Sequence, residues 1–363
     1  MDIIIVVGAR PNFVKVGPIM PVLAEAGHRV RIAHTGQHYD ASMSDVFFAD
    51  LKLPHPDWYL GVGSGKHAVQ TAAAMVRLEE LLETERPDAV LVVGDVNSTL
   101  AAALAAAKLL VPVIHLEAGL RSFDMAMPEE VNRLVTDQLS ALLLAPTVTA
   151  TENLGREGID LRRVDFVGNV MAQALIEALP LAAQRSRLAP EVTSAEYALA
   201  TIHRPENTSD PARLAGIMRA LAALELPVVL PAHPRLAPLL EQALPGPTRR
   251  GVTLIEPAGY LDMLRLEREA ALVVTDSGGV QEEACMLHVP CVTVRRNTER
   301  VETIDIGANR LTSADPEHIL ETAAAALASD RAWPVPERWD ERVAERVAAA
   351  IGSGVTPLRG AGT

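Results

Sequence analysis

Short apolar runs alternate with helical segments along this chain, and they do so in two separate series. The first series comprises residues 3–7, 30–33, 89–93, 111–116 and 141–145, and the second comprises residues 197–202, 228–230, 252–255, 270–274 and 291–294. Strands that alternate with helices form parallel sheets, because each helical crossover packs on a face of the sheet. The sequence therefore predicts an α/β protein of two doubly wound, Rossmann-like domains, with the active site in the interdomain cleft.

The two series also set the predicted domain boundaries. After residues 164–167 the strand pattern stops, and residues 170–183 form one Ala- and Leu-rich helix. We expect an N-terminal domain over residues 1–168, a connecting helix and linker over 169–194, and a C-terminal domain over 195–336. Residues 337–351 are predicted to be helical, and the Gly-rich residues 352–363 to form a flexible tail.

Composition excludes several classes of protein. The net charge of −13 argues against a nucleic-acid surface, which needs a basic face. Cys285 and Cys291 fall on a predicted helix and a predicted strand, so their spacing indicates neither a zinc site nor a disulfide. No apolar run has the length of a membrane span or the flanks of a signal peptide. We expect a cytoplasmic protein that binds no membrane.

Residues 274–283 (VTDSGGVQEE) predict a phosphate-binding turn. An apolar strand leads into Ser277, Gly278 and Gly279 and then into a helix, whose first backbone N–H groups attract an anion. Glu283 follows on the helix, where a carboxylate suits two hydroxyl protons better than a diphosphate. The pattern indicates a phosphate that carries a sugar diol, as in a nucleotide, although an ordinary helix start explains the same residues equally well.

Other polar residues follow strands at the predicted carboxyl edges of both sheets. They are Arg10 and Lys15 after the first strand, Asp95, Glu117, Glu129 and Arg133 in the first half, and His203, His233 and Arg300 in the second. Each alone is compatible with a helix cap or an interior histidine. Together they indicate a site at the strand ends, where ligands bind in doubly wound sheets.

Two other patterns are not interpreted as sites. The glycine-rich residues 61–65 precede a helix without a clear strand before them, so we expect a mobile loop rather than a dinucleotide fingerprint. His28, His34 and His38 match no metal-ligand spacing, and we predict no metal.

These motifs in their order resemble the non-hydrolysing UDP-N-acetylglucosamine 2-epimerases, over most of the chain. The segments that carry the resemblance are residues 8–11, 94–95, 115–121, 128–133, 203–207, 276–283 and 298–300. The resemblance implies the two-domain GT-B architecture, a C-terminal helix that returns to the first domain, and a homodimer. It also implies reversible interconversion of UDP-N-acetylglucosamine and UDP-N-acetylmannosamine for bacterial surface polysaccharides.

The resemblance and the residue chemistry together give each position a role. Asp95, Glu117 and Glu129 are the expected acid/base groups, and His203 bears on the diphosphate or the leaving oxygen. The expected ligands of UDP and its sugar are Arg10, Lys15, Arg133, His233, Ser277, Gly278, Gly279, Glu283 and Arg300. Because cations bracket the diphosphate, we expect neither a metal nor a cofactor.

The chain departs from the family pattern at three places, and other functions stay open. Ala9 and Asn12 flank Arg10 and Pro11, Val301 replaces the usual proline, and residues 37–40 differ from the bacterial pattern linked to activation by a second UDP-N-acetylglucosamine. Alternatives are a hydrolysing epimerase, a 2-epimerase of a related UDP-acetamido sugar, a GT-B glycosyltransferase and a non-catalytic UDP-sugar sensor.

Overall fold

The chain forms two compact units, each built on a parallel sheet. A computed structural model describes residues 1–36, 54–188, 192, 196–232, 237–243 and 251–355. One unit comprises Met1–Glu177 with Glu337–Thr363, and the other comprises Ala178–Pro336. Two doubly wound units confirm the predicted fold class.

The first unit contains a seven-stranded parallel sheet in the order β3-β2-β1-β4-β5-β6-β7. Its strands are β1 (Asp2–Val7), β2 (Arg29–His34), β3 (Trp58–Tyr59), β4 (Ala89–Val93), β5 (Val113–Leu116), β6 (Leu142–Ala145) and β7 (Val164–Phe166). Its helices are α1 (Arg10–Val16), α2 (Ile19–Glu25), α3 (His67–Glu85), α4 (Asn97–Lys108), α5 (Pro128–Leu139), α6 (Val148–Arg156) and the first part of α7 (Val170–Arg185), which continues into the second unit. Strands β1 and β4 lie side by side at the centre, with Ile3 opposite Ala89, and β4 and residues 3–7 of β1 are apolar and buried because helices cover both faces.

The second unit contains a six-stranded parallel sheet in the order β10-β9-β8-β11-β12-β13. Its strands are β8 (Ala198–Thr201), β9 (Val228–Pro231), β10 (Val252–Ile255), β11 (Leu272–Thr275), β12 (Cys291–Val294) and β13 (Asn309–Thr312). Its helices are α8 (Pro205–Thr208), α9 (Pro211–Ala223), α10 (Ala237–Ala243), α11 (Tyr260–Glu269), α12 (Gly278–Met286), α13 (Val301–Asp305) and α14 (Pro316–Leu327). Strands β8 and β11 form the centre, so the segments after them leave the sheet beside each other.

The last helix, α15 (Val343–Gly352), belongs to the first unit, where Val343, Val347 and Ile351 join the core beside α2. It begins at Val343 rather than at the predicted residue 337. Arg338 has a left-handed backbone (φ 60°), which a continuous α-helix cannot accommodate.

The glycine-rich segment 61–65 does follow a strand, contrary to the sequence prediction. Strand β3 pairs with β2 through only two residues, Trp58 opposite Ala33 and Tyr59 opposite His34. The segment continues beside the extension of β2, where Val62 N donates to Thr35 O at 2.8 Å. A strand of two residues leaves no period-2 pattern to detect.

Candidate active site

The first unit brings several predicted residues to the carboxyl edge of three adjacent strands. The segments after β1, β4 and β5 carry the 8–11 turn, Asp95 and Glu117. Asn12 shapes the first turn, because its Oδ1 accepts from Gly8 N and Ala9 N at 3.0 Å each and its Nδ2 donates to Val93 O at 3.2 Å. The unusual Asn12 therefore ties the end of β1 to the end of β4.

Glu117 forms an ion pair with Lys15, which lies in the last turn of α1. The two side chains are 3% and 12% exposed, so water screens the pair little. Glu117 also has a left-handed backbone (φ 74°), which is uncommon for a residue with a side chain and is frequent at functional sites. The structure thus pairs a predicted acid/base with a predicted diphosphate ligand.

Asp95 forms an ion pair with Arg133, whose Nη2 lies 2.5 Å from the Asp95 Oδ2. The Arg133 side chain is buried, and its Nη1 contacts Glu130 at 2.8 Å. Glu130 in turn accepts from Ser122 N and Oγ at 2.9 Å each. Arg133 therefore orients Asp95 in this structure, and its predicted contact with substrate stays a prediction.

Glu129 occupies the first turn of α5 and is half-buried, next to the buried Glu130. The helix dipole stabilises acidic side chains in the first turn, and this is the simpler explanation of the position of Glu129. Its role in proton transfer stays a prediction.

A buried Asp137–His115 pair supports both acid-bearing turns, and it was not singled out from the sequence. Asp137 accepts from His115 Nδ1 at 2.6 Å and from Gly119 N at 3.1 Å, and it pairs with Arg121 at 2.7 Å. His115 Nε2 contacts Gly94 O at 2.9 Å. Burial opposes ionisation of Asp137, but the charges and hydrogen bonds of His115 and Arg121 outweigh it and hold the Asp137 pKa below its usual value. His115 stands in a quoted motif, but Asp137, inside α5, gave no signal.

In the second unit, Asp276 holds the segment that follows β8. Its carboxylate accepts from His203 N at 3.1 Å, Arg204 N at 3.0 Å and Asn207 Nδ2 at 3.0 Å. His203 Nδ1 lies 2.9 Å from Asp276 Oδ1, while the His203 side chain is 56% exposed. Burial raises the Asp276 pKa, but His203 and the other donors outweigh burial and hold it below its usual value. The predicted His203 is therefore held by a buried carboxylate and remains accessible.

The predicted phosphate turn lies at the start of α12, as the sequence suggested. Ser277 is the N-cap residue, and its N–H donates to Thr275 Oγ1 at 2.9 Å. A Cβ on Gly278 would lie 2.8 Å from Glu299 Oε1, whereas one on Gly279 would meet nothing within 4 Å. Gly278 therefore has a packing reason to be glycine, while space remains above Gly279 for a ligand.

Glu283, the predicted ribose ligand, lies on α12 and faces a second buried acid. Burial first, then the Glu283 charge and a hydrogen bond to Glu283, raise the Glu267 pKa well above its usual value. Burial and the same two carboxyl groups raise the pKa of Tyr260 as well. Burial and Glu283 therefore both favour the protonated form of Glu267, and nothing in the sequence pattern of α11 indicated this pair of acids.

Arg300 is buried and pairs with Glu282, its Nε lying 2.7 Å from Oε1. This contact holds the Arg300 side chain against Glu282, which lies on α12, the helix that begins at the phosphate turn. The diphosphate contacts of Arg300, Ser277, Gly278 and Gly279 stay predictions, as does that of Arg10, which begins α1. His233 and residues 37–40 lie outside the described residues.

None of the helices in the described part of the chain has the length and apolar character to cross a membrane. Across the same ranges, no three or more His, Cys, Asp or Glu side chains cluster so as to hold a metal ion. His34 is an interior histidine, whose burial lowers its pKa to about 4.

Comparison with known proteins identifies close relatives. A family model described as UDP-N-acetylglucosamine 2-epimerase matches residues 22–352. A UDP-N-acetylglucosamine 2-epimerase of Methanocaldococcus jannaschii is 41% identical over 347 residues, covering 93% of this chain and 95% of that protein. A UDP-2,3-diacetamido-2,3-dideoxy-D-glucuronate 2-epimerase of Pseudomonas aeruginosa is 44% identical over 334 residues, covering 90% and 92%.

Solved structures agree with these relatives. The crystal structure of the Methanocaldococcus jannaschii UDP-GlcNAc 2-epimerase in complex with UDP-GlcNAc and UDP matches with a TM-score of 0.91 and 40% identity, covering 98% of this chain and 100% of that one. The Neisseria meningitidis enzyme bound to UDP-GlcNAc matches with a TM-score of 0.84 and 27% identity, covering 98% and 100%. The likeness confirms the GT-B-like fold class.

Proposed function

The chain belongs to the UDP-N-acetylglucosamine 2-epimerase family, and from that premise we propose that it interconverts UDP-N-acetylglucosamine and UDP-N-acetylmannosamine without hydrolysis. One structural observation supports the proposal independently of family membership. Asp95 and Glu117 follow the adjacent strands β4 and β5, and each carboxylate is paired with a cation of the same unit. Two fixed carboxylates at one sheet edge suit proton transfer at a sugar carbon better than they suit nucleotide binding.

Inversion at C2 needs an indirect route, because no carbonyl group stabilises a carbanion beside the acetamido group. In the proposed reaction the C1–O bond to UDP breaks and a carboxylate takes the C2 proton, which gives 2-acetamidoglucal and UDP. Return of the UDP oxygen to C1 and of a proton to the opposite face of C2 gives the epimer. The site must therefore hold UDP after the bond breaks and exclude water.

We assign the proton transfers to Asp95, Glu117 and Glu129, without assigning a face of C2 to each. Asp276 orients His203, and we assign to His203 a contact with the diphosphate or the leaving oxygen. The start of α12, with its open space above Gly279, supports a diphosphate there, and Glu283 supports the ribose. The remaining proposed ligands of UDP and the sugar are Arg10, Lys15, Arg133, His233, Ser277, Gly278 and Arg300.

A related sugar is the second candidate substrate. The Pseudomonas aeruginosa relative is named for a diacetamido dideoxyglucuronate, and it is 44% identical to this chain. The same elimination chemistry serves that sugar, because its C2 carries the same acetamido group. We further propose that the protein is a homodimer in the cytoplasm and that its product is a precursor of surface polysaccharides. The support for these points is the family resemblance alone.

Incubation with each UDP-sugar in deuterated water, followed by NMR, tests the proposal. We expect the C2 epimer with deuterium at C2, because the abstracted proton can exchange with solvent before another is returned. Free N-acetylmannosamine together with UDP would identify a hydrolysing epimerase instead. An epimer that keeps protium at C2 would contradict the route, and bound but unchanged sugar would indicate a sensor or a transferase that lacks its acceptor.

A further inference from the structure

The Lys15–Glu117 ion pair joins two segments that are 102 residues apart in the chain. Lys15 comes from the last turn of α1, and Glu117 from the turn after β5. With both side chains mostly buried, neither charge is well solvated, so each depends on its partner. The ammonium group of Lys15 therefore contacts the Glu117 carboxylate and is largely shielded from solvent.

The backbone of Glu117 shows that this carboxylate is held in place. Its left-handed conformation is unfavourable for a residue with a Cβ and persists only where surrounding contacts enforce it. Its amide N–H donates to Leu144 O at 3.1 Å, which anchors the main chain to β6. The ion pair then fixes the other end of the same residue.

Gly94 lies beside the ion pair. Its backbone is also left-handed (φ 64°), and a Cβ there would lie 3.4 Å from Glu117 Oε2 and 3.5 Å from Lys15 Nζ. The turn that carries Asp95 thus passes directly against the ion pair. A shift of the Lys15 side chain would disturb the surroundings of both predicted acids.

We propose that Lys15 is a positioning residue, which acts on the reaction through the Glu117 carboxylate rather than as a ligand of the diphosphate. The inference rests on the proposed epimerase function and revises one role within it. Loss of the cation would remove the ion pair that orients this buried carboxylate toward C2. Nucleotide binding would then depend on the other proposed ligands and not on Lys15.

A double-mutant cycle of Lys15→Met and Glu117→Gln tests the proposal in the full-length enzyme. We expect Lys15→Met to lower kcat by about tenfold or more, a part of the roughly 10²- to 10⁴-fold that a positioned acid/base contributes, while calorimetry shows an unchanged Kd for UDP. If Lys15 acts through Glu117, the double variant is no slower than Glu117→Gln alone. Lys15→Arg should recover most of the activity, because it restores the cation.

The exposed Lys108, at the end of α4, provides the control, and Lys108→Met should match the wild type. The double variant removes both charges together, so it avoids a lone buried charge if Lys15→Met folds poorly. A weaker Kd for UDP with unchanged kcat, or multiplicative losses in the double variant, would overturn the role given to Lys15. A wild type that does not epimerise any UDP-sugar would instead overturn the proposed function, and this inference with it.

Discussion

Replacing Asp276 with asparagine should loosen the segment that carries His203. The buried carboxylate accepts from two backbone N–H groups, His203 N and Arg204 N, and from the Asn207 amide. Asparagine keeps the shape of the side chain, but it replaces one acceptor oxygen with an NH₂ group. Oδ2 contacts all three of these donors, so an amide oxygen in its place keeps them, whereas the NH₂ group takes the place of Oδ1 and removes the charge-assisted hydrogen bond from His203 Nδ1.

The size of the effect follows from the charge of the acceptor. A hydrogen bond to a charged group contributes about 1.5–3 kcal/mol, and 1.36 kcal/mol corresponds to a factor of ten, so local opening should increase about 10- to 150-fold. Hydrogen exchange with mass spectrometry measures this opening in peptides that cover residues 203–208. Neutral pH is suitable, because the lowered Asp276 pKa keeps the carboxylate charged there.

Asp210→Asn provides a matched control in the same unit. Asp210 is the exposed N-cap of α9 and accepts from Ala212 N at 2.9 Å, a position where asparagine serves about as well as aspartate. We therefore expect no change in its helix. If Asp276→Asn exchanges no faster than wild type over residues 203–208, the carboxylate does not hold the segment and the reasoning is refuted.

Two further predictions concern the other buried acids. Glu283→Ala should weaken UDP binding by about 1.5–3 kcal/mol in calorimetry, whereas Ala at the exposed Glu317 should not, and equal affinities would move the ribose elsewhere. Asp137→Asn should lower stability at pH 7 by about 3–5 kcal/mol, since it leaves charged partners buried. The folded pKa of Asp137 lies below its unfolded value, so the wild type should lose this stability advantage as pH falls below about 4. Urea denaturation of the wild type and of Asp137→Asn measures the advantage at each pH. A difference between their midpoints that stays constant across this range would contradict the prediction.

Three strands, β4, β10 and β12, have the predicted bounds. Strand β4 lies at the centre of its sheet, where buried apolar side chains on both faces form one continuous run. The edge strands β3 and β13 were missed. Residues 309–312 (NRLT) include two polar buried residues, Asn309 and Thr312, so their pattern does not differ from that of a loop.

The candidate site was predicted in part, and the missing part has one physical cause. Strand-end motifs are local, so residues such as Asp95, Glu117 and His203 could be selected from their position after a strand. Their partners are set by the tertiary fold. Asp276 binds His203 across 73 residues of chain, and no spacing rule relates such positions.

A buried aspartate–histidine pair supports a functional turn in each unit, but the two pairs differ in their consequences. In each, a buried aspartate contacts a histidine Nδ1 and accepts from main-chain N–H groups of a turn that follows a central strand. His115 is fully buried and its Nε2 contacts the Gly94 carbonyl, so this ring can only hold the turn that carries Asp95. His203 has more than half of its side chain exposed, so the same anchor at Nδ1 leaves a ring that can meet a ligand. Exposure, rather than the histidine–aspartate pairing itself, therefore separates the supporting histidine from the one we assign to the diphosphate.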